Sequence, residues 1–477
     1  MRRALAGLLL AASAGCVTPK QRVAKLAYDL PPAPLPASAG APFRQHPPPA
    51  SGPIAVPALK LERFTLANGL RVVVVERHRF PEVAARLLIT LPAEGATSQE
   101  AARRNALLGD VCLSLSASVT HTAAQCTAQG CAIEARALTS GLDATLEDIS
   151  TRVRGDGLTL RAVTRRRAEA IATIEASGRT TLHALDALFE GSPRRDALTT
   201  RWANPPTLEA LNARRGRTLV PRAATLVLVG DLTLDEARTE AMARFGRWID
   251  RPVEVAPAPA PAHPPPDAPR AAIHREAGAA QVIGYIAAPG PRRRDPDDAA
   301  LRVLVERIGG AEHSAAFEHV REGLDAAYSV GGLVLSRPIG PLVVFVGAFD
   351  RRKAIDGMAA LLALIRRARR TPMTGAELDR AKRALVAQWR ARTDTNAGIA
   401  ELLGERVLEG DPIDDALTFP ARVDAVTPAT VQAAARRYLA KGELRLMMFG
   451  APSAVDRADE LGFGEPLTID VAADLAR

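Results

Sequence analysis

The stretch Thr225-Leu226-Val227-Leu228-Val229-Gly230-Asp231-Leu232-Thr233-Leu234-Asp235-Glu236 decides how the chain folds. Thr225 to Val229 is an apolar run of strand length that stops at Gly230-Asp231. Thr233 to Glu236 then has the Thr-x-x-Glu pattern of a capping box, and Ala237, Ala241 and Phe245 fall on one face of the helix that follows. A strand therefore feeds directly into a capped helix. Near the other end, Leu444 to Phe449, ending at Gly450, mirrors Thr225 to Gly230.

Outward from these two anchors the same grammar appears twice. In the first half, Phe64-Thr65-Leu66, Asn68-Gly69 and Leu70 to Glu76 read as a hairpin, because Asn-Gly between apolar runs suits a tight turn. Val83 to Leu91 supplies another strand, and a helical pattern runs from about Glu100 to Leu115. In the second half, Ile283 to Ala287 is a strand, and Leu301, Leu304, Val305 and Ile308 mark an amphipathic helix ending at Gly309-Gly310. Leu333 and Leu335, then Leu342 to Val346, are further strands. Thr374 to Glu377 caps a long helix carrying Leu378, Ala381, Leu385 and Trp389, and Thr427-Pro428 opens another with Pro at its first position. The expected fold class is α+β: two tandem, homologous domains, each an antiparallel-rich sheet packed with helices.

The chain's 477 residues suit two or three domains. Hydrophobic residues at 47% and charged residues at 24% exclude wholesale disorder, collagen and a polytopic membrane protein. Aromatics at 4% imply an aliphatic core and argue against a base-stacking surface. The net charge of +9 is spread among 53 acidic residues, so the arginine runs 165–167, 292–294 and 366–370 are read mainly as solvated helix faces and no nucleic-acid partner is expected.

Met1-Arg2-Arg3 and the apolar stretch Ala4 to Ala14 have the form of an export signal too short to span a bilayer. Ser13-Ala14-Gly15-Cys16 resembles a bacterial lipobox with Ser where Leu is usual, so lipidation at Cys16 is expected and plain signal-peptidase cleavage is the alternative. The resulting organisation is a signal at 1–15, a Pro/Ala-rich tether at 16–57, a domain at 58–250, a Pro-rich linker at 251–270, a second domain at 271–465 and a tail at 466–477. The expected location is the bacterial cell envelope, lipid-anchored at the periplasmic face of the outer membrane.

Several segments together resemble the insulinase/pitrilysin-type zinc peptidases, the family of mitochondrial processing peptidase and of the core proteins of bc complexes. They are Leu66 to Val74 with His78 and Pro81; Leu228-Val229-Gly230-Asp231; Gly284-Tyr285 through Pro289-Gly290 with Asp295 to Asp298; Glu377 to Lys382; Thr395-Asn396-Ala397-Gly398; and Val426-Thr427-Pro428 with Ala434 to Leu439. The resemblance covers about 60–465 and implies two clam-shell domains enclosing a chamber for an extended peptide.

Catalysis in that family rests on H-x-x-E-H, two histidines binding zinc and a glutamate acting as base, with a further Glu downstream. The corresponding helix here reads Ala106-Leu107-Leu108-Gly109-Asp110, and none of the eight histidines lies between 79 and 120. Glu175 falls near the distal ligand's place, but one carboxylate does not hold a catalytic zinc. His121, Cys126 and Cys131, with Cys112 nearby, allow either a structural metal site or a cross-strand Cys126–Cys131 disulfide that leaves Cys112 free and buried.

In two-subunit members of the family, the chain without zinc ligands contributes an Arg and a Tyr that hold substrate. Phe317 to Val330 resembles the segment that carries them and places Arg321 and Tyr328 in those roles; the alternative is a surface charge and a core aromatic. The resemblance thus implies a non-catalytic pseudo-peptidase, with neither metal nor cofactor of its own, that pairs with a zinc-bearing homologous subunit to bind and process peptides. A structural scaffold of the same fold, with no role in proteolysis, is the other reading.

Overall fold

The structure, a computed structural model, describes residues 59–90, 111, 114–115, 123–127, 130–156, 158–165, 168–169, 188–189, 207–252, 268–310, 312–335 and 340–469. The first half contributes β1 (Glu62–Thr65), β2 (Arg71–Glu76), β3 (Glu82–Thr90), β4 (Ala123–Thr127), β5 (Gly130–Leu138), α1 (Leu142–Arg154), α2 (Leu208–Thr218), β6 (Ala224–Gly230) and α3 (Leu234–Phe245). The second contributes β7 (Ala271–Arg275), β8 (Gln281–Pro289), α4 (Asp297–Gly309), β9 (Ala327–Leu335), β10 (Leu342–Asp350), α5 (Ala354–Arg370), α6 (Gly375–Thr393), α7 (Asn396–Glu409), α8 (Asp415–Asp424), α9 (Pro428–Tyr438), β11 (Arg445–Gly450) and β12 (Leu467–Thr468). No helix among the described residues is long and apolar enough to cross a membrane.

Two six-stranded sheets result, ordered β1-β2-β6-β3-β5-β4 and β12-β7-β11-β8-β10-β9. The pair β2–β6 is parallel, as is its counterpart β7–β11, and the ladders β6–β3–β5–β4 and β11–β8–β10–β9 are antiparallel throughout. The two halves are duplicates in topology, except that β1 joins antiparallel and β12 parallel.

Gly230 and Gly450 end the two matching strands for the same steric reason. Gly230 has φ +148° and a Cβ there would lie 2.1 Å from the Glu82 carbonyl oxygen. Gly450, at φ +157°, would meet the Val282 Cγ2 at 2.9 Å. The capping boxes form as expected: Thr233 Oγ1 accepts from the Glu236 N–H at 3.3 Å while the Glu236 carboxylate accepts from the Thr233 N–H at 2.7 Å, and Thr374 with Glu377 and Thr427 with Thr430 repeat the arrangement.

The unbroken apolar strands are explained by what covers each face. In β2, Val72 and Val74 enter a core with α1 and α3, where Leu146, Ile149, Ala237, Ala241 and Phe245 pack. Val73 and Val75 point to the opposite face and meet Trp389, Ile399, Leu402, Leu403 and Ala416, all from the second half. The second sheet is covered in the converse sense: Tyr285, Ala287, Val344 and Met447 pack with Leu188 and Phe189 of the first half. Each half thus closes the other's sheet.

Polar contacts pin the same seam. Thr395 caps α7, and Asn396 donates from Nδ2 to the Glu82 carbonyl at 2.9 Å while its Oδ1 accepts from Arg77 at 3.2 Å. Arg63 pairs with Asp414 across the two halves.

The described arginines of the three runs are exposed or half-buried, but outside those runs Arg152, Arg214, Arg215, Arg302, Arg406 and Arg445 are buried, and Arg406 is only 1% exposed. Acidic partners on the same helix make this tolerable: Arg302 Nε lies 2.8 Å from Asp298, and Arg406 lies 3.1 Å from Glu405 and 3.0 Å from Glu409.

Candidate functional site

Arg321 and Tyr328 lie on one short connection between a helical turn and an edge strand. Phe317–Gly323 is a π-helical turn, closed where the Leu324 N–H donates to the His319 carbonyl at 3.1 Å, and only Val320 in it is buried. Such single turns are energetically poor and recur at functional sites. Arg321 stands outward with its side chain 42% exposed, its guanidinium stacked 4.6 Å from the centre of the Phe317 ring and 3.8 Å from the Glu322 carboxylate.

The chain then reverses through Asp325, whose φ of +46° is the only positive value at a non-glycine residue among the described residues. Lys353 holds that reversal, donating from Nζ to the Leu324 carbonyl at 3.1 Å, the Asp325 carbonyl at 2.9 Å and the Asp325 carboxylate at 3.2 Å.

Tyr328 follows in β9, the outermost strand of its sheet. The ladder pairs Ala348 with Ser329 and then Phe349 with Ala327, so Tyr328 is the extra residue of a β-bulge. Bulges re-aim side chains. This one leaves Tyr328 73% exposed, so the core-aromatic alternative does not describe it. A guanidinium and a phenol held this way can donate hydrogen bonds to a carbonyl, a carboxylate or a developing oxyanion.

A second polar cluster joins two of the quoted motifs. His78, just after β2, places Nδ1 2.8 Å from Asp231 Oδ1, just after β6, with Nε2 3.7 Å from Glu76. Thr139 donates to the other Asp231 oxygen at 3.2 Å, and Glu76 accepts from the Leu234 N–H at 2.8 Å. The hydrogen bond to Asp231, chiefly, raises the His78 pKa, and the same bond lowers that of Asp231. With both ring nitrogens facing carboxylates and no nucleophile in the cluster, its evident work is to tie the β2–β3 turn to the end of β6.

The remaining candidates are placed unevenly. Cys131 is buried and disulfide-bonded, and Cys126 stands directly opposite it in the β4–β5 ladder. Cys16, Ala106 to Asp110, Cys112, His121 and Glu175 lie outside the described residues. The motif helix, read from its sequence, offers Asp110 as its one candidate ligand, a donor set that does not fit zinc. Among the described residues no group of three or more His, Cys, Asp or Glu is arranged to hold a metal ion.

Sequence reading named His78 and Asp231 separately and missed that they touch. It also missed the buried arginine network, although Asp298 and Arg302 at i, i+4 on a largely apolar helix were a usable signal.

Comparison with known proteins gives a consistent result. Residues 207–385 match the family model of the peptidase M16 inactive domain. No curated protein matches the chain in sequence. Among solved structures it resembles a protease from Helicobacter pylori at 14% identity and TM-score 0.69, covering 82% of this chain and 100% of that one. A peptidase M16 inactive domain from Pseudomonas fluorescens aligns at 19% identity and TM-score 0.67, covering 82% and 98%. A chain of complex III from Candida albicans aligns at 15% identity and TM-score 0.66, covering 87% and 99%. At these identities the likeness establishes the fold.

Proposed function

Because residues 207–385 match the family model of the peptidase M16 inactive domain, we propose that this protein is a pseudo-peptidase that completes the peptide chamber of a zinc-bearing homologue. In this reading it is lipid-anchored through Cys16 in the bacterial envelope, and it supplies substrate contacts while its partner supplies the metal. The Cys131 disulfide is assigned to Cys126, its neighbour across the ladder.

The observation that carries the proposal is the exposed pair. A phenol lifted out of an edge strand by a bulge, seven residues after an exposed arginine on an outward π-turn, has no packing role of its own. Its geometry suits donation to an extended peptide's carbonyls or to the oxyanion of its hydrolysis.

Reconstitution with the zinc-bearing homologue tests this. Arg321→Ala or Tyr328→Phe should lower turnover by roughly 10²–10³, the cost of one lost oxyanion donor, with pairing and melting temperature nearly unchanged. Full turnover in a well-folded, fully paired double variant would refute the role.

The scaffold reading keeps one support, the likeness to a chain of complex III. It requires that pairing occur and that both substitutions leave turnover intact.

A further inference from the structure

We propose that the cavity lined by α4, α6, α7 and α8 binds a small monovalent inorganic anion, a halide such as chloride, which fastens α7 to the helices beneath it. The cavity has a volume of about 30 Å³, and its charged wall is Arg293, Arg302, Arg392, Arg406 and Arg422, with Asp415 the single carboxylate among the lining residues.

Each guanidinium already meets a carboxylate along one edge. Arg302 lies 2.8 Å from Asp298, Arg293 2.7 Å from Glu409, Arg392 2.8 Å from Glu405 and Arg422 3.1 Å from Asp415, while Arg406 shares Glu405 and Glu409 with its neighbours. Glu306, next along α4, accepts from Gln388 at 3.1 Å. Left over are the Nε–H groups of Arg406 and Arg422, buried and without an acceptor, and on the acceptor side Asp298 Oδ2, buried and 3.8 Å from Arg422 Nη1. A buried guanidinium N–H without a partner is costly, and two on one cavity wall call for an acceptor inside it.

The field agrees with the geometry. Burial first and Arg293 second pull Arg406 down to about 10, despite two carboxylates in contact, whereas Arg293, though burial opposes it, is raised by Glu409; the poorly compensated charge is Arg406.

Size selects the anion. About 30 Å³ is room for roughly two water molecules. A bare halide fits that volume without displacing the wall. The site has a structural consequence, because α7 is the helix whose Ile399, Leu402 and Leu403 cover the first sheet. An ion bridging Arg406 on α7 to Arg293 before α4 and Arg422 on α8 would strengthen the seam between the halves.

Thermal melts of the full mature chain at fixed pH and ionic strength, with sodium gluconate replaced stepwise by chloride or bromide, test this directly. The melting temperature should rise saturably with either halide, and Arg422→Gln, a change at a half-buried wall position, should lose most of that rise. In case the variant does not fold, diffraction from bromide-soaked wild-type crystals reads the same site: an anomalous peak within hydrogen-bond distance of Arg406 and Arg422 is expected. Ordered water there with no bromide peak, or a halide response that Arg422→Gln retains in full, overturns the proposal.

Discussion

Replacing Leu403 with Ala probes the seam where the second half covers the first half's sheet. Leu403 is fully buried among Val73, Val75, Leu88 and Val229, so truncation removes three carbons and leaves a cavity against a rigid strand face. Such changes cost about 2–5 kcal/mol. With an unfolding entropy of roughly 2 cal/mol/K per residue, over roughly 400 folded residues, that loss lowers the melting temperature by roughly 2–6 °C. Glu401→Gln, an exposed position on the same helix, is the control and should stay within about 0.5 kcal/mol of wild type. Urea unfolding followed by tryptophan fluorescence is the assay. Its reporters include Trp248 in the first half's core and Trp389 at the seam. Because each half closes the other's sheet, one transition should move as a whole. A loss under about 0.5 kcal/mol, or a first-half transition that Leu403→Ala leaves in place, would refute the reciprocal packing.

Two further outcomes follow from the sequence and the site. The folded-state pKa of His78 is raised, so its ion pair with Asp231 contributes fully below the unfolded value of about 6.5 and is lost as pH rises through the folded pKa; melts at about pH 6 and pH 8 should differ more in wild type than in His78→Gln, and equal differences would discount the pair. Lipidation at Cys16 predicts that the protein sediments with membranes and that Cys16→Ser releases it, since two or three acyl chains suffice for stable anchoring; a variant still membrane-bound would remove the anchor from the account.

How much of this was readable in advance depends on the range of the interactions involved. Turn and cap chemistry is local, so Asn68-Gly69, the Thr233 and Thr374 boxes and the Gly230 and Gly450 strand ends were legible, and with them the duplicated α+β plan. The reciprocal covering was not. Val72 to Val75 announces a strand buried on both faces, but nothing in those residues says that Leu403, more than three hundred positions later, closes one of them. Arg321 and Tyr328 were legible as candidates only through resemblance. Their exposure depends on a π-turn and a one-residue bulge, features with no simple periodic signature. Buried arginines defeat composition for a similar reason: Arg406 is charged, and only the placement of Glu405 and Glu409 beside it makes burial tolerable.

The proposed pseudo-peptidase role requires that this chain lack a catalytic centre of its own. Elemental analysis of the purified mature protein, with a cleavage assay on an unstructured peptide, tests it most directly. The proposal predicts no stoichiometric zinc and no cleavage by this chain alone, because the family resemblance puts Ala106 to Asp110 in the place of the zinc-binding motif. One tightly bound zinc per chain, with peptide cleavage abolished by chelator, would contradict it.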